Sequence, residues 1–341
     1  MFDNDEWLNQ HREDVVDPDR EIVDPHHHLW PRSHPVIVYD LEDLWRDTVD
    51  GHKVTQTIFM ECGSSYRTEG PEHLKPVGES EFIAEAARKS AADPAKATIA
   101  ALVAHTDLRL PLETLDEVLD AHIEAADGLF RGIRHSGPYD PAGASFRIPP
   151  RAPAGLYRDA DFQRGVAHLG SRGFTYDTWN YHHQILDFRD LAAAVPDTTM
   201  ILDHFGTPLG VGPYEGKREE GFEKWKDDIA AVAAQKNVFA KLGGLAMPDN
   251  GFGWHDREMP PSSDEFVAAQ AKYYHHAIAC FGAERCMLES NFPVDRLSIS
   301  FRTLWNGLKK ITADYSEYEK TALFSGTARK VYSVDPPAAG A

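Results

Sequence analysis

An apolar, β-branched run followed by an amphipathic helical stretch recurs from one end of this chain to the other, and that alternation restricts the fold more than any other feature. The candidate strands are Ile22 to His28, Val54 to Glu61, Thr98 to Thr106, Leu129 to His135, Gly173 to Thr178, Thr199 to His204, Asn237 to Leu242 and Arg285 to Ser290. Helix-like segments lie between them, among them Glu79 to Ala92, Pro111 to Ala126, Asp159 to Ser171, Phe222 to Ala234 and Asp264 to Phe281, with Phe301 to Thr312 after the last strand. Eight strands, each followed by a helix, predict an α/β fold of the closed (β/α)8 TIM-barrel type. A doubly wound sheet would show a glycine-rich first turn, and no GxGxxG follows the first strand. The 341 residues suit one such barrel, and no shift in composition marks a second domain. The expected organisation is an N-terminal extension over 1–21, a barrel over 22–334 and a disordered Pro- and Ala-rich tail over 335–341.

The long irregular stretches all follow strands, where a barrel carries its active-site loops on the C-terminal face. They are Gly63 to Gly78, Ser136 to Arg158, Phe205 to Gly221 and Gly243 to Ser263. The second, with Tyr139, Phe146, Tyr157 and several prolines, reads as a lid or substrate wall.

Charge narrows the partners. A formal net charge of −19 repels phosphate backbones and anionic lipid, so neither nucleic acid nor membrane is expected. A local Arg or His still leaves room for an acidic small molecule. The first twenty residues are polar and acidic, and no run approaches the length of a membrane span, so the protein is expected in the cytoplasm. Cys62, Cys280 and Cys286 lack metal-site spacing and read as reduced thiols.

In Ile22-Val23-Asp24-Pro25-His26-His27-His28-Leu29-Trp30 a β-run leads into three histidines. Side chains two apart on a strand share a face, so His26 and His28 point the same way and His27 the other. At the end of a first strand, both imidazoles can reach one cation. Tyr273-Tyr274-His275-His276, by contrast, lies in a helical run where successive side chains diverge, and reads as packing and surface. No Gly-x-Ser-x-Gly elbow and no Walker A motif occur.

The segment Asp24 to Trp30 resembles the opening motif of the amidohydrolase-2 branch of the amidohydrolase superfamily. Further resemblances follow in order: Phe130-Arg131-Gly132-Ile133-Arg134 on strand four, Ile201-Leu202-Asp203-His204-Phe205-Gly206-Thr207-Pro208 on strand six, Lys241-Leu242-Gly243-Gly244 on strand seven, and Met287-Leu288-Glu289-Ser290-Asn291-Phe292-Pro293-Val294-Asp295 on strand eight. Within the branch, the chain is most similar to the sugar-lactone and dicarboxylate-lactone hydrolases. The resemblance implies His26, His28 and His204 as ligands of a divalent metal, with zinc the usual one, although some lactonases of the branch work without metal. It also implies a carboxylate on strand eight, where this chain has Asn291.

An amide cannot accept a proton from water, so that general-base role does not transfer, and a tight metal site loses an anionic ligand. Glu289, on the same face as Asn291, and Glu61, at the end of strand two, are the candidate replacements, with Asn291 expected to hydrogen-bond the nucleophile or the intermediate. Arg134 suits a substrate carboxylate or a developing oxyanion. His135 and His182 are candidate proton donors near the substrate. Lys241 would either bind an anionic group or pair with Asp203. The expected activity is hydrolysis of a small cyclic ester or related acyl substrate by water attack on a polarised carbonyl, with a metal-dependent non-oxidative decarboxylase of aromatic or unsaturated acids as the alternative. By family analogy a homo-oligomer is expected.

Overall fold

The structure, a computed structural model, describes residues 4–337. Eight parallel strands pair in chain order: β1 (Glu21–His27), β2 (Lys53–Met60), β3 (Thr98–Ala104), β4 (Phe130–Arg134), β5 (Thr175–Thr178), β6 (Met200–Leu202), β7 (Val238–Leu242) and β8 (Cys286–Leu288). Each boundary lies within two residues of the one expected from sequence. The ring closes where the chain beyond β8 runs along β1. There the Asn291 N–H donates to the His26 carbonyl at 3.0 Å, and the His28 N–H donates to the Phe292 carbonyl at 2.8 Å. The chain is therefore a (β/α)8 barrel.

Helices surround the ring: α1 (Asp5–Leu8), α2 (Leu41–Thr48), α3 (Val77–Ala91), α4 (Leu112–Ala125), α5 (Ala160–Ser171), α6 (Ile185–Ala194), α7 (Arg218–Ala233), α8 (Ser263–Phe281), α9 (Phe301–Ile311), α10 (Glu317–Thr321) and α11 (Thr327–Tyr332). Local chemistry starts several of them. Asp40 and Ser262 form capping boxes with Asp43 and Glu265, satisfying backbone N–H groups that the first turn leaves open. Helices α2 and α6, like the terminal α1, α10 and α11, fall outside the segments singled out above. They are short, and only Ile185, Phe188, Leu191 and Ala192 of α6 are buried.

Both faces of the strands are covered, which explains their nearly unbroken apolar runs. Leu44, Ile83, Leu115, Phe162, Phe188, Trp225, Phe266 and Trp305 fill the layer between strands and helices. Inside, Val23, Ile58, Met60, Ala101, Val103, Ile201 and Met287 make an apolar floor, sealed by Ala328, Tyr332 and Val334 of the C-terminal segment.

The N-terminal extension lies against the barrel. Asp5 pairs with Arg296, and Glu13 accepts from Ser263 and Asn306. At the other end, the Asp335 carbonyl accepts from Gln56 at 2.9 Å, and residues 338–341 of the Pro- and Ala-rich tail lie outside the described residues. No helix among the described residues is long and apolar enough to cross a membrane. The three cysteines are free thiols.

Candidate active site

Above the apolar floor the inward positions turn polar. Strict alternation from the inward-facing Val23 would place Pro25 and His27 inside. A register irregularity between Asp24 and His27 in the pairing with β2 shifts the phase, so that His26 and His28 face the axis while His27 packs outward, 5.9 Å from the Phe59 ring. Asp24 holds the irregular turn: one oxygen accepts from the backbone N–H of His26 and of Ser290 at 3.3 and 3.0 Å. Burial pushes its carboxyl up to about 7.

His26 is the centre of the site. Its Nε2 lies 3.3 Å from Nε2 of His28 and 3.2 Å from Nη1 of Arg134. Since guanidinium only donates, His26 Nε2 is an acceptor there. The proton of His28 sits on Nδ1, which faces the Met60 carbonyl at 2.8 Å. On the other side of the ring, His26 Nδ1 is 2.8 Å from Glu289 Oε2, an approach too bent for a hydrogen bond. The second Glu289 oxygen meets Nδ1 of His204 at 2.7 Å, and the His26 and His204 rings lie 4.5 Å apart. Burial, together with the charge of His204 for His26 and of Arg134 for His28, holds both imidazoles well below the ordinary histidine range. They are neutral at physiological pH, as ligands or acceptors must be.

The two glycines of Lys241-Leu242-Gly243-Gly244 make the room. A Cβ on Gly243 would sit 2.4 Å from Cγ of Glu289, and one on Gly244 would sit 2.4 Å from Nδ1 of His204. Gly244 also has φ +75°, open to glycine at little cost. His204 itself has φ 55°, and Phe205, Gly206 and Thr207 continue in the left-handed region. Such strain persists where the surroundings over-determine it, typically at functional sites.

Arg134 ends β4 and is buried against Glu61: Nε donates to Oε1 at 2.8 Å, and Nη2 donates to the Glu61 backbone carbonyl. Its Nη1 also lies 3.7 Å from Asp203. Burial opposes the charge, but Glu61 and Asp203 outweigh it and raise the pKa. Below this layer Lys241 is fully buried, with Nζ 2.9 Å from Asp177 and 3.4 Å from Asp203. Tyr332 of α11 donates to Asp177 from beneath. The Lys241 ammonium thus pairs with Asp203, as one of the two sequence readings had it, and with Asp177.

The structure therefore brings His26, His28, His204, Glu289, Arg134 and Glu61 together. Asn291 adjoins them through its backbone bond to His26. His135 and His182 stand apart: His135 packs 5.1 Å from the Phe162 ring and accepts from the Leu108 N–H, and His182 accepts from the Leu209 N–H beside Tyr214. Sequence reasoning did not single out Asp177, Asp203 as a site carboxylate, or Asp295. Asp203 precedes His204 in the quoted motif, so a signal was present; Asp177 gave none beyond its place on a strand.

The stretch Ser136 to Arg158 is bonded to two other post-strand loops. The backbone N–H groups of Arg147 and Ile148 donate to the two oxygens of Asp249 at 2.8 and 2.9 Å, and Tyr214 donates to Asp140 at 2.6 Å. Three of the post-strand loops are thereby tied to one another.

The donor set fits a divalent cation. His26, His204 and Glu289 offer ligand atoms within 4.8 Å of one another, all buried. His26 Nδ1 and Glu289 Oε2 are enclosed without a hydrogen-bond partner, as groups sharing an ion would be. Such an ion would polarise a carbonyl and acidify bound water.

A barrel whose mouth gathers strand-end histidines and carboxylates from β1, β6 and β8 is the architecture of amidohydrolase enzymes. The amidohydrolase family model matches residues 23–334, and the chain belongs to that family. It is 30% identical over 336 residues, 93% of this chain and 99% of the other, to the uncharacterized protein y4mH of Sinorhizobium fredii. It is 28% identical over 245 residues, 71% of this chain and 74% of the other, to an L-fucono-1,5-lactonase of Burkholderia multivorans. Among solved structures, an amidohydrolase from Burkholderia multivorans with bound zinc superposes with a TM-score of 0.70 at 23% identity, covering 92% of this chain and 99% of that one.

Proposed function

We propose that this enzyme opens a small lactone by adding water to its carbonyl. The observation that carries the reading is the placement of Arg134: a buried guanidinium at the mouth, next to the His26–His204–Glu289 cluster, with Glu61 in contact. Three of its five N–H groups are engaged by Glu61 and His26, which leaves two for an oxyanion. A fixed cation in a water-poor site stabilises the charge that builds on a carbonyl oxygen as water attacks. The lactonase relative supports the cyclic-ester class.

In this scheme the substrate carbonyl oxygen points at Arg134, and Glu61 takes the proton of the attacking water. As the ring C–O bond breaks, Glu61 returns that proton to the departing alkoxide. The product is an open hydroxy acid. Glu61 suits this role because its side chain is 13% exposed, whereas that of Glu289 is fully enclosed between His26 and His204. His26, His204 and Glu289 are the residues that would hold a divalent ion, and zinc suits a mixed imidazole and carboxylate set.

The test is a substrate panel of sugar lactones, dicarboxylate lactones, open esters and aromatic acids. Ring opening with release of one proton per turnover and no loss of carbon is expected. Release of carbon dioxide from an acid, with every lactone left intact, would overturn the proposal.

A further inference from the structure

The strand-eight carboxylate implied by the family resemblance is absent at Asn291, yet a carboxylate lies one helical turn further on. Asp295, fully buried, accepts a hydrogen bond from Nδ2 of Asn291 at 2.8 Å through Oδ1. Its other oxygen accepts from the Ala246 backbone N–H at 3.2 Å, in the loop after β7. Asn291 itself is 1% exposed, has φ 55°, and donates its backbone N–H to the His26 carbonyl. Asparagine tolerates that left-handed conformation better than most residues. Its Oδ1 accepts no hydrogen bond from any described residue.

We propose that Asp295 is a positioning residue that locks the Asn291 amide with its nitrogen turned back and its oxygen turned to the reacting centre. The argument is one of donor and acceptor capacity. Both Asp295 oxygens act as acceptors, Oδ1 from Asn291 Nδ2 and Oδ2 from the Ala246 N–H, so the NH2 branch of the amide faces Asp295 and its oxygen takes the opposite side. Burial pushes the Asp295 carboxyl up to about 7, so the lock is complete above that pH. Asn291 then presents an acceptor and no donor at the place where the family resemblance implies a carboxylate. It orients the attacking water by accepting one of its protons in a hydrogen bond, while proton removal falls to Glu61. The proposal rests on the hydrolytic reading for its kinetic consequence, but not for its geometry.

The experiment is a transposition of the pair. In Asp295→Asn, the Ala246 N–H still claims the side-chain oxygen, so the new NH2 faces Asn291 and turns that amide's oxygen back, away from the reacting centre. We expect kcat to fall roughly 100-fold, the order of loss that misplacing a reacting group produces, with KM little changed. Asn291→Asp sets two carboxylates against each other, and the double variant N291D/D295N restores one donor and one acceptor. The double variant is expected to recover most of kcat, and its thermal midpoint should lie well above that of Asn291→Asp. If the double variant is no better than the additive sum of the two singles in both kcat and midpoint, the proposal fails. The midpoints alone decide the geometric claim if no lactone is hydrolysed by the wild-type enzyme, so failure of the functional reading is a separate result. Should Asp295→Asn not fold, Asn291→Asp carries the test: wild-type stability and wild-type kcat in that variant would overturn the coupling.

Discussion

Nη1 of Arg134 stands 3.2 Å from Nε2 of His26, on the same side as His28, so one face of the His26 imidazole is already turned to a cation. A divalent ion placed between His26 and His28 would meet that guanidinium at close range, where like charges in a buried site repel by several kcal/mol. The opposite edge, with Nδ1 toward Glu289 and His204, carries no such repulsion; an ion there needs the Nδ1 lone pair, so the single proton of the neutral ring would sit on Nε2 and the Arg134 contact would open. Metal content measured after zinc supplementation should therefore fall far below one ion per chain in His204→Ala and Glu289→Gln. His28→Ala should keep its metal. Loss of metal in His28→Ala with retention in Glu289→Gln would put the ion on the Arg134 side.

Arg134 itself should be hard to replace. Lysine keeps the charge but has neither the planar fork nor the reach to hold the Glu61 carboxylate, the Glu61 carbonyl and His26 at once. Removing one preorganised oxyanion donor costs about 100- to 1000-fold in kcat, and Arg134→Lys should fall in that range. Steady-state kinetics on any confirmed lactone decides it; a variant within about threefold of wild type, well short of that range, would remove Arg134 from the mechanism.

Lys241 makes a prediction about stability. It is fully enclosed and neutralises Asp177 and Asp203, while Asp203 in turn lies 3.7 Å from Arg134. Taking away one partner of a buried ion pair leaves an unpaired charge and destabilises by roughly 3–5 kcal/mol. Lys241→Met should accordingly unfold at clearly lower denaturant than wild type. The additional variant Asp177→Asn should recover part of the loss, since Asp177 is left without its cation whereas Asp203 keeps Arg134. Equal denaturant midpoints for wild type and Lys241→Met would contradict the network.

Much of this architecture was legible because barrel strands are buried on both faces and stand out as apolar runs, and because His26, His204 and Glu289 sit at the ends of such runs. What escaped was whatever depends on phase and on contacts across the ring. Alternation alone does put His26 and His28 on one face, but counting from Val23 gives the wrong face, and only the irregularity held by Asp24 turns them inward. His135 is next to Arg134 in sequence and so points away from it, into the layer with Phe162. Asp295 was hidden for a different reason: its role comes from a turn after the strand, which brings residue 295 back to residue 291, and no period in the sequence marks such a turn. Helix α6 was missed because ten residues give too few repeats of the helical period to be distinguished from a loop.

The loop after β2 should make stability depend on pH in an unusual direction. Glu79, at the start of α3, is buried and accepts with one oxygen from the backbone N–H groups of Cys62 and Ser64 at 3.2 and 2.7 Å; its other oxygen has no partner. Burial, with a further contribution from the charge of Glu61, pushes its carboxyl up to about 8 from an ordinary 4.5. Between those values the folded protein retains a proton that the unfolded chain has released. Folding then takes up protons, so stability from this group is full below about 4.5 and is lost as pH rises towards 8. Glutamine at this position keeps the accepting oxygen for both N–H groups and does not titrate. In urea unfolding across that window, the midpoint of Glu79→Gln should gain on wild type steadily as pH increases, with the gap levelling off at the alkaline end. A constant gap across the window would mean that Glu79 ionises in the folded protein as it does in the open chain, and that its burial leaves no mark on the proton.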